Sequence, residues 1–129
     1  MALGRVATRR PVCIDRDATI VAASRLMRAQ DVAELVVIEP REQRRVPAGI
    51  ISARDIITRI VAFNLDAAAL TVGDILWART AAGHVSDGIH ETLERLIATG
   101  SDALPIVDSD GNLAGVVLVD DLLRALAET

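Results

Sequence analysis

Ser52 and Asp55 stand three residues apart in GIISARD (residues 49–55), where a short β-branched run gives way to an apolar helical pattern, DIITRI. A serine at the start of a helix can offer its hydroxyl and nearby backbone amides to an anion. An aspartate three residues on lies one turn deeper on the same face, where it can accept hydrogen bonds from sugar hydroxyls. Arg54 falls at the rim, where its guanidinium suits phosphate. The same spacing is also a capping-box pattern, in which hydroxyl and carboxylate serve the helix's own amides and stabilise it by about 1 kcal/mol without any ligand. The two uses are compatible, since a cap can also bind phosphate.

A second stretch, GVVLVDD (residues 115–121), leads into DLLRAL in the same way. Strand, sharp turn and helix recurring in one small chain point to an internal duplication. The register is consistent: Met27 and Leu96, Leu35 and Leu104, and Glu39 and Asp108 are each 69 apart, whereas Gly49 and Gly115, and Asp55 and Asp121, are each 66 apart. The difference of three fits a change in loop length between two strands, where insertions cost least. The copies differ where chemistry is concerned, because Leu118 stands at the position of Ser52 while Asp121 matches Asp55.

The elements that must position these residues are legible in outline. PVCI (11–14) is a short strand; apolar residues from Thr19 onward recur at helical spacing until about Gln30 and Asp31. ELVVIE (34–39) is a strand, EPREQRRVPAG a charged loop, AGIIS (48–52) a strand, and a helix runs from Ala53 to about Asn64. In the second copy TAAG (80–83) is a weak strand, a helix spans about 88–99 with Gly100 as its stop, and ALPIVD and NLAGVVLV are strands. The turn DSDGN joins those strands, with Asp110 and Gly111 expected at positive φ. DDLLRALAET closes as a helix.

The totals exclude several classes of function. The 129 residues suit one domain of ordinary size, and a single cysteine, Cys13, rules out an internal disulfide. There is no signal-peptide pattern and no apolar run long enough to span a bilayer, so a soluble cytoplasmic protein without membrane insertion is expected. A net charge of −4 and only two aromatic residues, Phe63 and Trp77, argue against nucleic acid as a partner. All fourteen basic residues are arginine, which removes Schiff-base chemistry and the lysine of a P-loop. With 51% hydrophobic residues and so few aromatics, the core is built from Ala, Val, Ile and Leu, as suits an α/β layer structure.

The order MRAQDVAELVVIE then AGIISARDII, and again LIATGSDALPIVDSDGNLAGVVLVDDLL, resembles the cystathionine-β-synthase (CBS) domain in tandem, with TVGDIL like the family's lead-in to a second copy. The resemblance covers nearly the whole chain. It implies an α/β (α+β) fold of two βαββα repeats, residues 1–66 and 67–129, each with a small mixed sheet packed on two helices. The repeats would pair about a pseudo-two-fold axis into one Bateman module with two clefts. Each cleft would take its Ser/Thr and Asp from one copy and base-contacting strands from the other. The implied nucleotide-binding set is Ser52, Arg54 and Asp55 with Ile50, Ala81, Ser101, Asp102 and Ala103, and the implied ligand is AMP, ADP, ATP or S-adenosylmethionine. In the second cleft Leu118 cannot donate to phosphate, and Asp120 and Asp121 with Glu34 nearby would repel an anion. One competent and one degenerate site are therefore expected. The family's usual work is regulatory, with no cofactor: ligand binding is passed to a partner by a change of pose, commonly in a homodimer and here to a protein effector in trans. A ligand-independent dimeric scaffold is the alternative.

Other features carry less. DSDG resembles the opening of a calcium loop but lacks the later Glu, and His84 and His90 have no ligand partners at zinc spacing, so no metal site is expected. No nucleophile and base constellation is visible, so the chain is not expected to be an enzyme. Cys13 falls in an apolar strand as inert core. Arg41, Arg44 and Arg45 form a basic cluster in the long loop, either solvated or in contact with a phosphate tail or an acidic partner. Phe63 and Trp77 flank the connection between copies as core or dimer contacts.

Overall fold

The computed structural model describes residues 2–7, 10–41, 43–76 and 82–128. The first copy contains β1 (Cys13–Asp15), α1 (Ile20–Gln30), β2 (Glu34–Arg41), β3 (Arg44–Ser52) and α2 (Ala53–Ile56), which runs straight on into a π-helical turn over Ile57–Val61. The one-turn helix α3 (Val72–Ile75) then precedes the second copy: β4 (Gly83–His84), α4 (Ile89–Thr99), β5 (Ala103–Val107), β6 (Leu113–Leu118) and α5 (Val119–Ala127). Each copy has a three-stranded mixed sheet, β1-β2-β3 or β4-β5-β6, with the outer pairing parallel and the hairpin antiparallel. This is the expected mixed α+β architecture of two βαββα repeats.

Over the five pairs that both hairpins contain, from Glu34↔Ser52 to Ile38↔Pro47 and from Ala103↔Leu118 to Val107↔Leu113, the registers match. Val37 faces Gly49 and Ile106 faces Gly115, and in each sheet the register slips at the next step, leaving Ala48 or Ala114 as the extra residue of a bulge. At Gly49 the backbone needs the absence of a side chain: φ is +158°, and a Cβ there would lie 3.0 Å from Leu76 Cδ1.

Helix boundaries follow local chemistry. Thr19 caps α1 by accepting from the Ala22 amide at 3.1 Å, and Asp31 ends it in the left-handed conformation at φ 53°, as Gly100 ends α4 at φ 71°. Three expectations need correction. The charged stretch read as a loop is mostly strand, because β2 and β3 continue through it to a tight turn with Gln43 at φ 67°. The helix after Ser52 is α-helical for only one turn before its bonding shifts to the wider π pattern, with the Ala62 amide donating to the Ile57 carbonyl at 2.9 Å. In the second hairpin Gly111 alone takes positive φ, at 82°, while the Asp108 carboxylate accepts from the Asp110 and Asn112 amides at 2.9 and 3.1 Å. Of TAAG, only Gly83 falls in a described strand; Thr80 and Ala81 lie outside the described residues, as does Trp77.

The two cores exchange their lead-ins. Val72 and Ile75 of α3 are buried with Ile20, Leu35, Ile51 and Ile60 of the first copy, whereas Leu3, at the other end of the sequence, is buried with Leu96, Leu104, Ile106 and Leu122 of the second. Short antiparallel bridges fix the exchange, Thr19 with Thr71 and Ala2 with Gly88. Between the copies β3 packs across β5 and β6. The hairpins also touch: Arg44 Nη1 donates to the Asp110 carbonyl at 3.1 Å and the Arg45 amide to Asn112 Oδ1 at 3.0 Å. Among the described residues no helix is long and apolar enough to cross a membrane.

Candidate functional site

Ser52 is the last residue of β3 and the N-cap of α2. It stays extended at φ −113° and ψ 161°, so its side chain projects over the first helical turn. The capping box is complete: Ser52 Oγ accepts from the Asp55 amide at 3.1 Å, and Asp55 Oδ2 accepts from the Ser52 amide at 2.9 Å. The box leaves some capacity unspent. Among the described residues the Ser52 hydroxyl has no acceptor for its own proton, and Asp55 Oδ1 has no hydrogen bond and lies 3.9 Å from Arg59 Nε. Arg54 is exposed beside them.

Register places Glu34 directly across from Ser52 on β2. The Glu34 carboxyl is half-buried, and burial, followed by the nearby Asp102 and Asp55 carboxylates, pushes its pKa above the ordinary value. Glu34 and Asp102 share a pocket with Leu118, Val119 and Asp120. Ser101 lies just before Asp102, within 3.4 Å of Thr99 Oγ1, and Ala103 is buried opposite Leu118 in the second sheet. The structure thus brings Ser52, Asp55, Glu34 and Asp102 into one region where the two copies meet. Ala81 lies outside the described residues.

The corresponding turn of the second copy is only half a cap. The Leu118 amide donates to Asp121 Oδ2 at a long 3.4 Å, and leucine has no oxygen to return the bond. Asp121 lies 3.7 Å from Arg124 and borders a different pocket with Val6, so it is not grouped with Glu34. Asp120 is.

Sequence reasoning expected a second cleft with Glu34 but missed the apolar walls of the cavity there, about 300 Å3 in volume. Its walls combine Val12, Val32, Ala33, Glu34 and Val36 of the first copy with Val116 and Leu118 of the second; Arg10 also borders it. Ile50 lines this space, alongside Val116, its counterpart 66 residues on. The signal was available: applying the 69-residue offset to Ala81, Ser101, Asp102 and Ala103 gives Val12, Val32, Ala33 and Glu34.

The arginine cluster is used within the fold. Arg41 pairs with Glu39 at 2.8 Å, Arg16 pairs with the same carboxylate, and Arg45 Nη2 lies 2.8 Å from Cys13 Sγ. Burial raises the pKa of the Cys13 thiol despite this guanidinium, which acts in the opposite sense. His90 is exposed and 3.1 Å from Glu94, and the described residues contain no group of three or more side chains able to hold a metal.

Comparison with known proteins gives a consistent picture. The sequence profile of the CBS domain matches residues 3–62 and again 70–128. The Methanopyrus kandleri protein MK0525 is 25% identical over 96% of this chain, which spans 62% of the length of that relative. The CBS domain pair of protein MJ0100, in complex with 5′-methylthioadenosine and S-adenosyl-L-methionine, superposes with a TM-score of 0.81 at 17% identity, covering 99% of this chain and 97% of that one. CBSX2 in complex with AMP superposes with a TM-score of 0.77 at 20% identity, covering 98% and 96%.

Proposed function

Because the chain belongs to the CBS-domain family, carrying two such domains in tandem, we propose that it is a regulatory ligand-sensing module rather than an enzyme. It binds an adenosine-containing ligand, of the AMP, ADP and ATP class or S-adenosylmethionine, in the cleft near Ser52 and Asp55. The observation that carries this reading is the unspent half of the Ser52 and Asp55 cap: among the described residues, a hydroxyl proton without an acceptor, and a carboxylate oxygen with no hydrogen bond and an ion pair to a guanidinium at 3.9 Å. The proton suits a phosphate oxygen and the carboxylate oxygen suits ribose hydroxyls. That two proteins of the same fold hold adenosine compounds supports the choice of ligand. Binding between the copies changes their relative pose, provided the ligand has unequal affinity for the two poses, and a protein effector reads the change.

Pairing into a homodimer belongs to the same proposal. Ile57, Val61 and Phe63 are 60, 65 and 71% exposed on and just beyond the π-helical turn. An apolar strip of this kind is suited to a partner surface. It also favours a second reading, a ligand-independent dimeric scaffold.

A thermal-shift series with AMP, ADP, ATP and S-adenosylmethionine on wild type and Asp55→Ala tests the proposal. A ligand at about 100 times its dissociation constant stabilises the native state by about 2.7 kcal/mol. The expected result is a shift in wild type that Asp55→Ala abolishes. A shift that survives Asp55→Ala but vanishes in Asp121→Ala would move the site, and no shift with any ligand would leave the scaffold reading.

A further inference from the structure

Charge is divided unequally between the two copies. Residues 1–66 hold eleven arginines and eight acidic residues, a net +3, whereas residues 67–129 hold three arginines and ten acidic residues, a net −7. The division reaches the helices. In each copy two helices pack together, α1 with α2 and α4 with α5, and each pair keeps an outward surface. Arg25 and Arg28 are exposed on α1, which has no acidic residue; Glu91 and Glu94 are exposed on α4, and Glu94 stands at the position that Arg25 holds in the first copy, 69 residues earlier. Arg54 and Asp120, 66 apart, show the same inversion. Arg95 and Arg124 offset only part of the acidic charge on α4 and α5. Apolar groups are instead common to both surfaces: exposed Ile57 in the first copy matches exposed Leu123 on α5, and Ile97 is exposed on α4.

We propose that the helical surface of the first copy docks on the helical surface of the second copy in another molecule of this chain, so that the dimer is antiparallel. The inference rests on the homodimer reading above and adds its orientation. Burial of apolar residues such as Ile57 and Leu123 drives association but is non-directional, and it serves either orientation. Charge selects between them. In an antiparallel two-fold dimer the same contact forms twice, each time setting the basic surface of Arg25 and Arg28 against the acidic surface of Glu91 and Glu94. In a parallel dimer arginines meet arginines and glutamates meet glutamates, which opposes that arrangement. A single exposed ion pair contributes little, but here several charges on each surface act in the same sense, and salt screens them together.

Sedimentation analysis of the full chain at low ionic strength, without added ligand, tests the orientation with three variants: Arg25→Glu with Arg28→Glu, Glu91→Arg with Glu94→Arg, and all four substitutions together. In an antiparallel dimer each pair of substitutions sets like charges face to face and weakens the dimer about tenfold or more, as rising salt weakens that of wild type. The fourfold variant exchanges the two surfaces and restores the dimer, which a loss caused by misfolding would not allow. A dimer that keeps its strength in both pair variants would overturn the orientation alone, because a parallel dimer merely exchanges one like-charged contact for another. Weakening in the pair variants that persists in the fourfold variant would overturn it as well. A wild type that stays monomeric has a separate meaning, since it would remove the homodimer reading and this inference together.

Discussion

At the scale of single residues, Glu34 couples the folded state to pH. Burial first, then Asp102 and Asp55, raises its folded pKa, so the ionised carboxylate is disfavoured in the native protein. Its contribution to stability is therefore fully present below the ordinary glutamate pKa and is lost as pH rises through the raised folded value. Glu34→Gln removes that loss. Urea unfolding should show the variant more stable than wild type at neutral pH, with the difference disappearing in acid; an equal difference at both would contradict the account. Ser52 allows cap and site to be separated, because the chain contains a second box of the same kind. Thr71 Oγ1 accepts from the Asp74 amide at 3.3 Å, and Asp74 Oδ2 from the Thr71 amide at 2.8 Å. Ser52→Ala and Thr71→Ala should each cost about 1 kcal/mol in denaturation midpoints. Only Ser52→Ala should also weaken AMP, as titration calorimetry would show.

At the scale of elements, what could be read from the chain depended on how local the cause was. Caps and stops are local, and Thr19, Asp31 and Gly100 stand where the apolar period and their own side-chain chemistry place them. The continuation of β2 and β3 through EPREQRRVPAG is not local. Arg41, Arg44 and Arg45 look like loop residues until Glu39, Asn112, Asp110 and Cys13 are seen to receive them. The π-helical turn after α2 also lacks a sequence signature, since Ile56 and Ile60 keep the four-residue apolar spacing of an ordinary helix while Ile57 and Val61 are turned outward. Ser52 and Asp55 were legible because both lie within one turn. The cavity beneath Val116 was not, because its walls come from strands far apart in sequence, and only the offset between copies connects them.

At the scale of the whole molecule, the exchanged lead-ins make each copy depend on a segment adjoining the other. Leu3 is fully buried among Leu96, Leu104, Ile106 and Leu122, although it stands at position 3 of the sequence. Leu3→Ala should cost about 2–5 kcal/mol, as for a large core side chain replaced by a small one, with the loss read from chemical denaturation. A loss near zero would show that the segment does not hold the second core. The central claim is that the first cleft, and not the second, receives a phosphorylated adenosine ligand. A crystal structure of the protein grown with AMP tests it most directly. The account predicts phosphate density at the Ser52 hydroxyl and ribose density at Asp55. AMP density beside Leu118 and Asp120, with the Ser52 cleft empty, would contradict it.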